Sequence, residues 1–202
     1  FYNDIDNFML CSFTCSEDLI SLYNCFDDQE VKDLRLNAFF EAREDEQYKV
    51  AKVVEKVYDC FVIRSAELYL NKAEAEAMLD KAEAKQTIKT LLNNRFEGGI
   101  PDVDGLNEKD LISFIRDERR RELCFEAHRW FDLRRYAVSS KYPEKKSIRH
   151  ETYDKNGVLE GDYVLKPYGE DPAWVLPIPG YEIVYNQGNL VDNPQRVERK
   201  LE

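Results

Sequence analysis

One stretch without glycine or proline constrains the fold of this chain more than any other feature. It runs from Glu108 to Tyr136 and is rich in Arg, Glu and Leu, which favour helix. On a helical wheel, Leu111, Ile115 and Tyr136 share one face. The middle of that face is charged and contains Glu118, Glu122, Glu126 and Arg129, with Arg119 at its edge. A surface helix normally carries its charges opposite its apolar stripe, so the pattern predicts a long helix that buries an ionic middle.

Buried charges require partners of opposite sign, because an unpaired charge away from water is strongly destabilising. Glu67 and Glu74 lie seven residues apart beside the apolar stripe of an earlier helix, where they could pair with Arg119 or Arg129. We therefore expect Arg119, Glu122 and Arg129 to be at least half buried and paired with these glutamates or with one another. The alternative is that some of these charges are solvated.

Two further helices are predicted ahead of this stretch. The first runs from about Val57 to Asp80 and carries a stripe of alanine and leucine, which permits another helix to approach closely. The second runs from Ala82 to Asn94, and the short connection makes the pair similar to a tetratricopeptide unit. One such unit cannot bury its apolar face alone, so the long helix must pack on it.

The N-terminal part carries weaker signals. A capping box formed by Thr14 and Glu17 predicts a short helix that continues to about Phe26. The residues from 36 to 40 predict a short strand, and those from 41 to 49 a charged connection.

The composition changes after Tyr136, where six of the seven prolines and five of the eight glycines lie. The pair Asn156-Gly157 predicts a β-hairpin, with a further short strand at residues 163–165. The proline-spaced segment from Trp174 to Pro179 cannot be helix or central strand. It predicts an extended strap across the helices, with Trp174 and Ile178 pointing inward.

Three segments carry more specific patterns. They read Ile63-Arg64-x-Ala66-Glu67-Leu68-Tyr69-Leu70, then Glu118-Arg119-x-x-Glu122-Leu123-x-x-Glu126-x-x-Arg129, then Trp174-x-x-Pro177-Ile178-Pro179 with Asn193-Pro194. In this order they resemble the C-terminal portion of the SusD/RagB family, the nutrient-binding lipoproteins of the Bacteroidetes outer membrane. The family usually has Gly where this chain has Ala127, and a closely packed small residue would explain the difference.

The resemblance implies a mainly α fold, with tetratricopeptide-like helix pairs, a long helix, and a loop-rich C-terminal tail that contains a short β-hairpin. Residues 1–202 would form the C-terminal portion of a SusD-like domain, helical over 14–137 and a loop and strap region over 138–202. The expected structural ion-pair network comprises Arg64, Glu67, Glu74, Glu118, Arg119, Glu122, Glu126 and Arg129.

The function implied by the resemblance is capture of a glycan or other nutrient at the cell surface and its delivery to a SusC-like TonB-dependent transporter. The protein would lie on the extracellular face of the outer membrane, lipid-anchored through an N-terminal region absent from this sequence. That absent half of the protein would also be a partner of this portion. The competing hypothesis is a soluble helical-repeat adaptor that binds a peptide in a groove.

Several other functions are disfavoured by composition and motifs. A formal net charge of −11 would repel phosphate backbones, and no apolar run approaches the length of a membrane helix. Glu118 and Glu122 share a face, but each lies a turn from an arginine that would lower its carboxyl pKa and oppose general-acid chemistry. His128 and Asp132 provide only two metal ligands, and the five cysteines fit buried thiols, with a disulfide left open. We expect no enzyme, metal site or cofactor.

Ligand-binding residues are the least determined part of the sequence. Tyr153, Tyr163 and Tyr168 are candidates, because exposed rings near turns can stack on sugars. Packing within the core or the strap is the alternative role for each. We expect this chain alone to bind glycan weakly or not at all.

Overall fold

The computed structural model describes residues 15–26, 31–43, 47–52, 63–154, 158–194 and 201. Within these ranges the protein is mainly helical, with seven α-helices: α1 Glu17–Asn24, α2 Arg35–Phe39, α3 Ser65–Met78, α4 Glu83–Leu92, α5 Glu108–Glu122, α6 Arg129–Ala137 and α7 Gly180–Tyr185. The strands in the same ranges are β1 Lys32–Asp33, β2 Phe40–Ala42, β3 Tyr48–Val50, β4 Phe96–Glu97, β5 Ile148–Tyr153 and β6 Leu159–Leu165. They form three antiparallel pairs, β1–β4, β2–β3 and β5–β6. The predicted mainly α class with a C-terminal hairpin is confirmed.

The chain divides into two compact units, which we call the first unit (residues 1–129) and the second unit (residues 130–202). No helix in the described parts of either unit is long and apolar enough to cross a membrane.

The helix pair α3 and α4 forms the centre of the first unit. A tight turn at Asp80, whose φ is +57°, joins the two helices. The buried face of α3 consists of Ala66, Leu70, Ala73 and Ala77 with Glu74, and α3 packs on both α4 and α5. The stripe predicted at Ile63, Ala66, Leu70, Ala73 and Ala77 is correct from Ala66 to Ala77, whereas Ile63 precedes α3 and is exposed. The predicted helix pairing is correct. The predicted start at Val57 lies outside the described residues, and α3 begins only at Ser65.

The long helix predicted from Glu108 to Tyr136 is wrong in one respect, because the chain breaks between α5 and α6. Phe125 and Ala127 both have a φ of +62°, in the left-handed region that no α-helix contains. The carbonyls of Glu122 and Cys124, which would continue the helix, instead accept hydrogen bonds from Lys52. Interactions with a distant side chain end α5, which local helix propensity cannot anticipate.

The same break corrects the explanation given for Ala127. Its side chain is exposed, so close packing does not require a small residue there. The positive φ of residue 127 explains a preference for glycine at this position, since glycine adopts this backbone conformation without steric cost.

The prediction for residues 36–40 is also wrong, because these residues form most of the short helix α2 and only Phe40 begins a strand. The Asp33 carboxylate accepts a hydrogen bond of 2.9 Å from the backbone N–H of Arg35, which satisfies a donor at the start of α2. The predicted connection over residues 41–49 is partly strand, because β2 pairs with β3 through Phe40–Val50, Glu41–Lys49 and Ala42–Tyr48. At the N-terminus, Thr14 lies outside the described residues and Ser16 occupies the N-cap position of α1.

Leu19, Ile20 and Tyr23 of α1 form an apolar core with Phe40 and Cys124. The rings of Tyr23 and Phe40 meet edge to face with centroids 5.3 Å apart. The Tyr23 hydroxyl donates to the carbonyl of Arg121 at 2.7 Å. These contacts attach α1 to the C-terminal end of α5.

In the second unit, Trp174 and Tyr136 are both deeply buried, each with 1% of its surface exposed. The Trp174 contacts are the most informative. The Trp174 ring packs against Trp130 of α6 with centroids 4.4 Å apart, and its indole N–H donates to the carbonyl of Lys166 at 2.7 Å. The inward orientation predicted for Trp174 is confirmed. Ile178 is partly buried, whereas Val175 and Leu176 in the same segment are exposed.

Candidate functional site

The first unit contains a buried group of charged side chains gathered from distant parts of the sequence. We call this group the ionic cluster, and it consists of Asp33, Arg35, Lys52, Arg64, Arg95, Glu118, Arg121, Glu122 and Glu126.

Glu118 lies at the centre of the ionic cluster and has no exposed surface. Its carboxylate accepts hydrogen bonds from Arg35 at 2.6 and 3.1 Å and from Arg121 Nε at 2.9 Å. Burial alone would raise the pKa of this carboxyl group, but the charges of Arg35 and Arg121 outweigh burial and lower it to about 2. Glu118 is therefore an anion throughout the physiological pH range.

Glu122 is one helical turn further along α5, and only 1% of its surface is exposed. Arg95 donates to both carboxylate oxygens at 2.8 and 2.9 Å, and Arg35 and Arg64 add bonds of 3.0 and 3.1 Å. Burial opposes ionisation, but the bonds from Arg95 and the charge of Arg35 lower the pKa of Glu122 below its ordinary value. Three guanidinium groups thus converge on one carboxylate.

Glu126 belongs to the break after α5, and its carboxylate faces back towards the ionic cluster. Arg64 donates to its two oxygens at 2.7 and 2.9 Å, and the Lys52 ammonium lies 2.5 Å away. Arg64 also donates to the carbonyl of Glu122 at 3.0 Å. The position of Glu126 is therefore fixed by residues that precede α3 in the sequence.

A second set of polar contacts joins α3 to α5. Arg119 donates to the side chain of Asn71 at 2.8 Å and lies 3.7 Å from Glu67. The His128 Nδ1 atom lies 3.4 Å from Arg119 and 3.8 Å from Glu67. Arg119 therefore makes polar contacts between α3 and α5.

The remaining two residues of the expected network, Glu74 and Arg129, are not members of the ionic cluster. Glu74 lies 3.6 Å from Arg116, a residue that the sequence analysis did not single out. Arg129, at the first position of α6, is half-buried.

Five members of the ionic cluster were missed in the sequence: Asp33, Arg35, Lys52, Arg95 and Arg121. Four of them lie outside the long helix, in short or irregular segments that have no hydrophobic period. Arg121 belongs to α5, but its partner Glu118 is only three positions away, which is also ordinary spacing for a solvated pair. A signal for further cations was present in the sequence. The carboxylates along one face of α5 required more cations, if buried, than the expected network supplied.

The geometry of the ionic cluster is poorly suited to general-acid catalysis. Glu118 and Glu122 are held as anions by guanidinium groups, which is the opposite of what a general acid requires. Within the described ranges no three His, Cys, Asp or Glu side chains form a group that could hold a metal ion.

The cysteines described by the structure are free thiols: Cys15, Cys25 and Cys124. Burial raises the pKa of Cys15 to about 11, with a further contribution from the neighbouring Cys124. Burial also raises the pKa values of Cys25 and Cys124, so none of the three is activated as a nucleophile. Cys11 and Cys60 lie outside the described residues.

The three tyrosines singled out as ligand candidates occupy different environments in the second unit. Tyr163 pairs with His150 across the hairpin, whereas Tyr153 follows Glu151 on the regular strand β5 and so lies on the opposite face. Both rings are exposed. Tyr168 contacts Trp174 edge to face at 6.0 Å, and the Arg134 guanidinium lies 5.2 Å above its ring. The structure does not gather these tyrosines into one aromatic surface.

Comparison with known proteins gives matches to SusD-like proteins. The sequence model of the SusD family matches residues 18–195. SusD-like protein P2 of Formosa agariphila is 28% identical over 142 residues, which are 65% of this chain and 25% of that protein. SusD-like protein P38 of the same organism is 40% identical over 79 residues, which are 36% of this chain and 16% of that protein. This chain thus spans a quarter or less of the length of these curated relatives.

Two of the similar solved structures come from Bacteroides species. A SusD-like protein from Bacteroides fragilis gives a TM-score of 0.44 at 24% identity, over 75% of this chain and 26% of that chain. A SusD-like carbohydrate binding protein from Bacteroides vulgatus gives a TM-score of 0.41 at 24% identity, over 62% of this chain and 29% of that chain.

Proposed function

This chain belongs to the SusD family, and from that premise we propose that it is part of a cell-surface protein that binds a glycan or similar nutrient. The bound ligand is passed to a SusC-like TonB-dependent transporter in the outer membrane. The observation that carries the proposal is the family match, which extends over residues 18–195. It favours the nutrient-binding protein over a soluble helical-repeat adaptor.

The site geometry is consistent with a binding protein rather than an enzyme. The charged residues of the ionic cluster pair with one another, because Glu118, Glu122 and Glu126 each accept hydrogen bonds from arginine side chains. A substrate would have to displace these partners and leave buried charges unpaired, which is strongly unfavourable. In the proposed function the ionic cluster supports the fold and makes no contact with ligand.

We propose that glycan contact by this chain, where it occurs, involves the exposed rings of Tyr153 or Tyr163. Sugar recognition combines a stacking surface with several converging polar groups. Tyr153 and Tyr163 face opposite sides of the hairpin, and Tyr168 is engaged by Trp174 and Arg134. These three tyrosines are therefore separate rings rather than a platform, and we expect tight binding to require residues from the remaining length of a SusD-like protein.

Calorimetric titration of this chain and of a full-length SusD-like protein that contains it, with one panel of oligosaccharides, tests this proposal. We expect the longer protein to bind at least one glycan and this chain to bind the same glycan far more weakly. Equal affinity in both would place the site within these 202 residues. The variants Tyr163→Ala and Tyr153→Ala would then identify the ring involved. Absence of binding to every glycan by the longer protein would contradict the carbohydrate-binding function itself.

The transporter partnership has a separate test. We expect the longer protein, tagged in its native host, to co-purify with a TonB-dependent transporter and to be accessible to protease at the surface of intact cells. Recovery without a transporter, and from the soluble interior of the cell, would support the adaptor instead.

A further inference from the structure

The break between α5 and α6 surrounds the ammonium group of Lys52 with oxygen atoms. The Nζ atom lies 2.6 Å from the carbonyl oxygen of Glu122, 3.0 Å from that of Cys124 and 2.5 Å from a carboxylate oxygen of Glu126. The ring of Phe39 closes another side, with its centroid 4.3 Å from Nζ. Only 10% of the Lys52 side chain is exposed, so the ammonium group is enclosed much as an ion is enclosed by its ligands.

Charge balance alone does not explain why Lys52 occupies this position. Among the described members of the ionic cluster, four carboxylates meet four guanidinium groups, and the Lys52 ammonium is an additional cation. The last carbonyls of an α-helix have no partner within the helix and carry partial negative charge. The carbonyls of Glu122 and Cys124 at the end of α5 supply this charge to Lys52.

Lys52 also connects this loop to a separate part of the first unit. The backbone N–H groups of Ala51 and Lys52 donate to the carbonyl of Phe39 at 2.7 and 2.9 Å, which attaches Lys52 to the end of the β2–β3 pair. The cation therefore joins that strand pair to a loop whose two left-handed residues, Phe125 and Ala127, require compensation.

We propose that the loop after α5 is a binding site for one small monovalent cation, and that Lys52 supplies this cation internally. We call the site the cation cage, formed by the carbonyl oxygens of Glu122 and Cys124, the carboxylate of Glu126 and the ring of Phe39. Ca²⁺ takes 6–8 oxygen ligands, which is more than the three oxygen atoms that contact the cation in the cage. Distances of 2.5 to 3.0 Å suit an ammonium-sized ion, so an ammonium ion, a primary alkylammonium ion or K⁺ would replace the missing side-chain group.

The variant Lys52→Met tests the cage directly, because it removes the ammonium group and keeps an unbranched apolar stem beside Phe39. Thermal unfolding of wild type and variant would be followed by circular dichroism in ammonium, ethylammonium, potassium and tetramethylammonium chloride at equal concentrations. In tetramethylammonium chloride we expect the variant to unfold at a lower temperature than the wild type. The tetramethylammonium ion has no N–H group and is too bulky to enter the cage. Ammonium, ethylammonium and potassium should raise the Tm of the variant saturably, as binding to the folded state requires, with little differential effect on the wild type.

Lys49→Met is the matched control, because Lys49 is only partly buried on β3 and contacts only the exposed Glu41 at 3.8 Å among the ion pairs described. Its Tm should depend on the salt as the wild-type Tm does. Adding Glu126→Gln to Lys52→Met should abolish the advantage of ammonium over tetramethylammonium.

Two results would overturn the proposal. One is a Tm of Lys52→Met equal to that of the wild type in tetramethylammonium chloride. The other is an equal change in the Tm of wild type and variant across all four salts. If the variant does not fold in tetramethylammonium chloride, recovery of helical circular dichroism in ammonium or potassium chloride supports the cage. Failure to recover in all four salts overturns it.

Discussion

At the residue scale, two left-handed residues lie in the break that follows α5. Phe125 and Ala127 have φ values of +62°, and the left-handed conformation costs residues with a Cβ roughly 1–2 kcal/mol each. The bonds from Arg64 and Lys52 to Glu126, the residue between them, compensate for this cost. A strained backbone is thus maintained by charge-assisted hydrogen bonds.

The variant Ala127→Gly should be more stable than the wild type by up to about 1.6 kcal/mol. Removal of the Cβ relieves roughly 1–2 kcal/mol of strain, and the greater freedom of glycine in the unfolded chain offsets about 0.4–1 kcal/mol of that gain. Urea unfolding would measure the difference. The matched control is Ala75→Gly on the exposed side of α3, which should lose about 1 kcal/mol. Equal losses in both variants would mean that Ala127 is not strained.

At the scale of elements, α3 depends on small residues to contact two helices at once. Ala73 has no exposed surface, and α3 packs on both α4 and α5. The side chains of Glu74 and Arg116 meet at 3.6 Å next to this contact. The close approach made possible by alanine therefore also positions the polar contacts between α3 and α5.

The variant Ala73→Leu should destabilise the protein by roughly 1–3 kcal/mol, because additional methyl groups in a filled interface force the helices apart. Ala75→Leu places the same side chain on the exposed face of α3 and should change stability by less than about 0.5 kcal/mol. Denaturant midpoints of the two variants provide the comparison. Similar midpoints would indicate that α3 has room for a larger side chain at position 73.

At the scale of the molecule, the ionic cluster holds the first unit together across large sequence separations. Asp33 and Arg35 precede α3, Arg95 follows α4, and Glu118 and Glu122 belong to α5. Removal of one partner from a buried pair typically costs about 3–5 kcal/mol, because the other charge remains buried without compensation. The stability of the first unit should therefore depend on the ionisation of its buried carboxylates.

The folded-state pKa of Glu118 is about 2, compared with an ordinary value of 4.5. Because the folded value is the lower one, ionised Glu118 contributes stability that is complete above pH 4.5 and is lost as the pH falls towards 2. By linkage this contribution is about 3 kcal/mol. The difference in unfolding free energy between wild type and Glu118→Gln should shrink over this pH interval, and urea unfolding from pH 7 to pH 2 would measure it.

The exposed variant Glu160→Gln provides the control for that measurement, since Glu160 is exposed on β6. Its stability should follow the wild-type pH profile. A constant difference between wild type and Glu118→Gln at every pH would contradict the lowered pKa of Glu118.

Features that depend on local pattern could be predicted from the amino-acid sequence alone. The 3.6-residue period and the connection at Asp80 predicted α3 and α4, the Asn-Gly pair predicted the hairpin of β5 and β6, and the prolines after Trp174 predicted a segment that places its ring inward. The long ionic helix face indicated that Glu118, Glu122 and Glu126 required cations if they were buried. These predictions succeed because periodicity, turn chemistry and desolvation are properties of residues and their near neighbours.

Long-range contacts, in contrast, determine which cations pair with the carboxylates and where the long helix stops. Arg35, Lys52 and Arg95 come from short segments without a period of their own, so nothing local predicts that they converge on α5. Helix propensity favours continuation through residues 123–128, but Lys52 removes the carbonyls of Glu122 and Cys124 from the helical pattern. The break therefore results from competition between local hydrogen bonds and a cation that arrives from far away in the sequence, and this competition is resolved only when the chain folds.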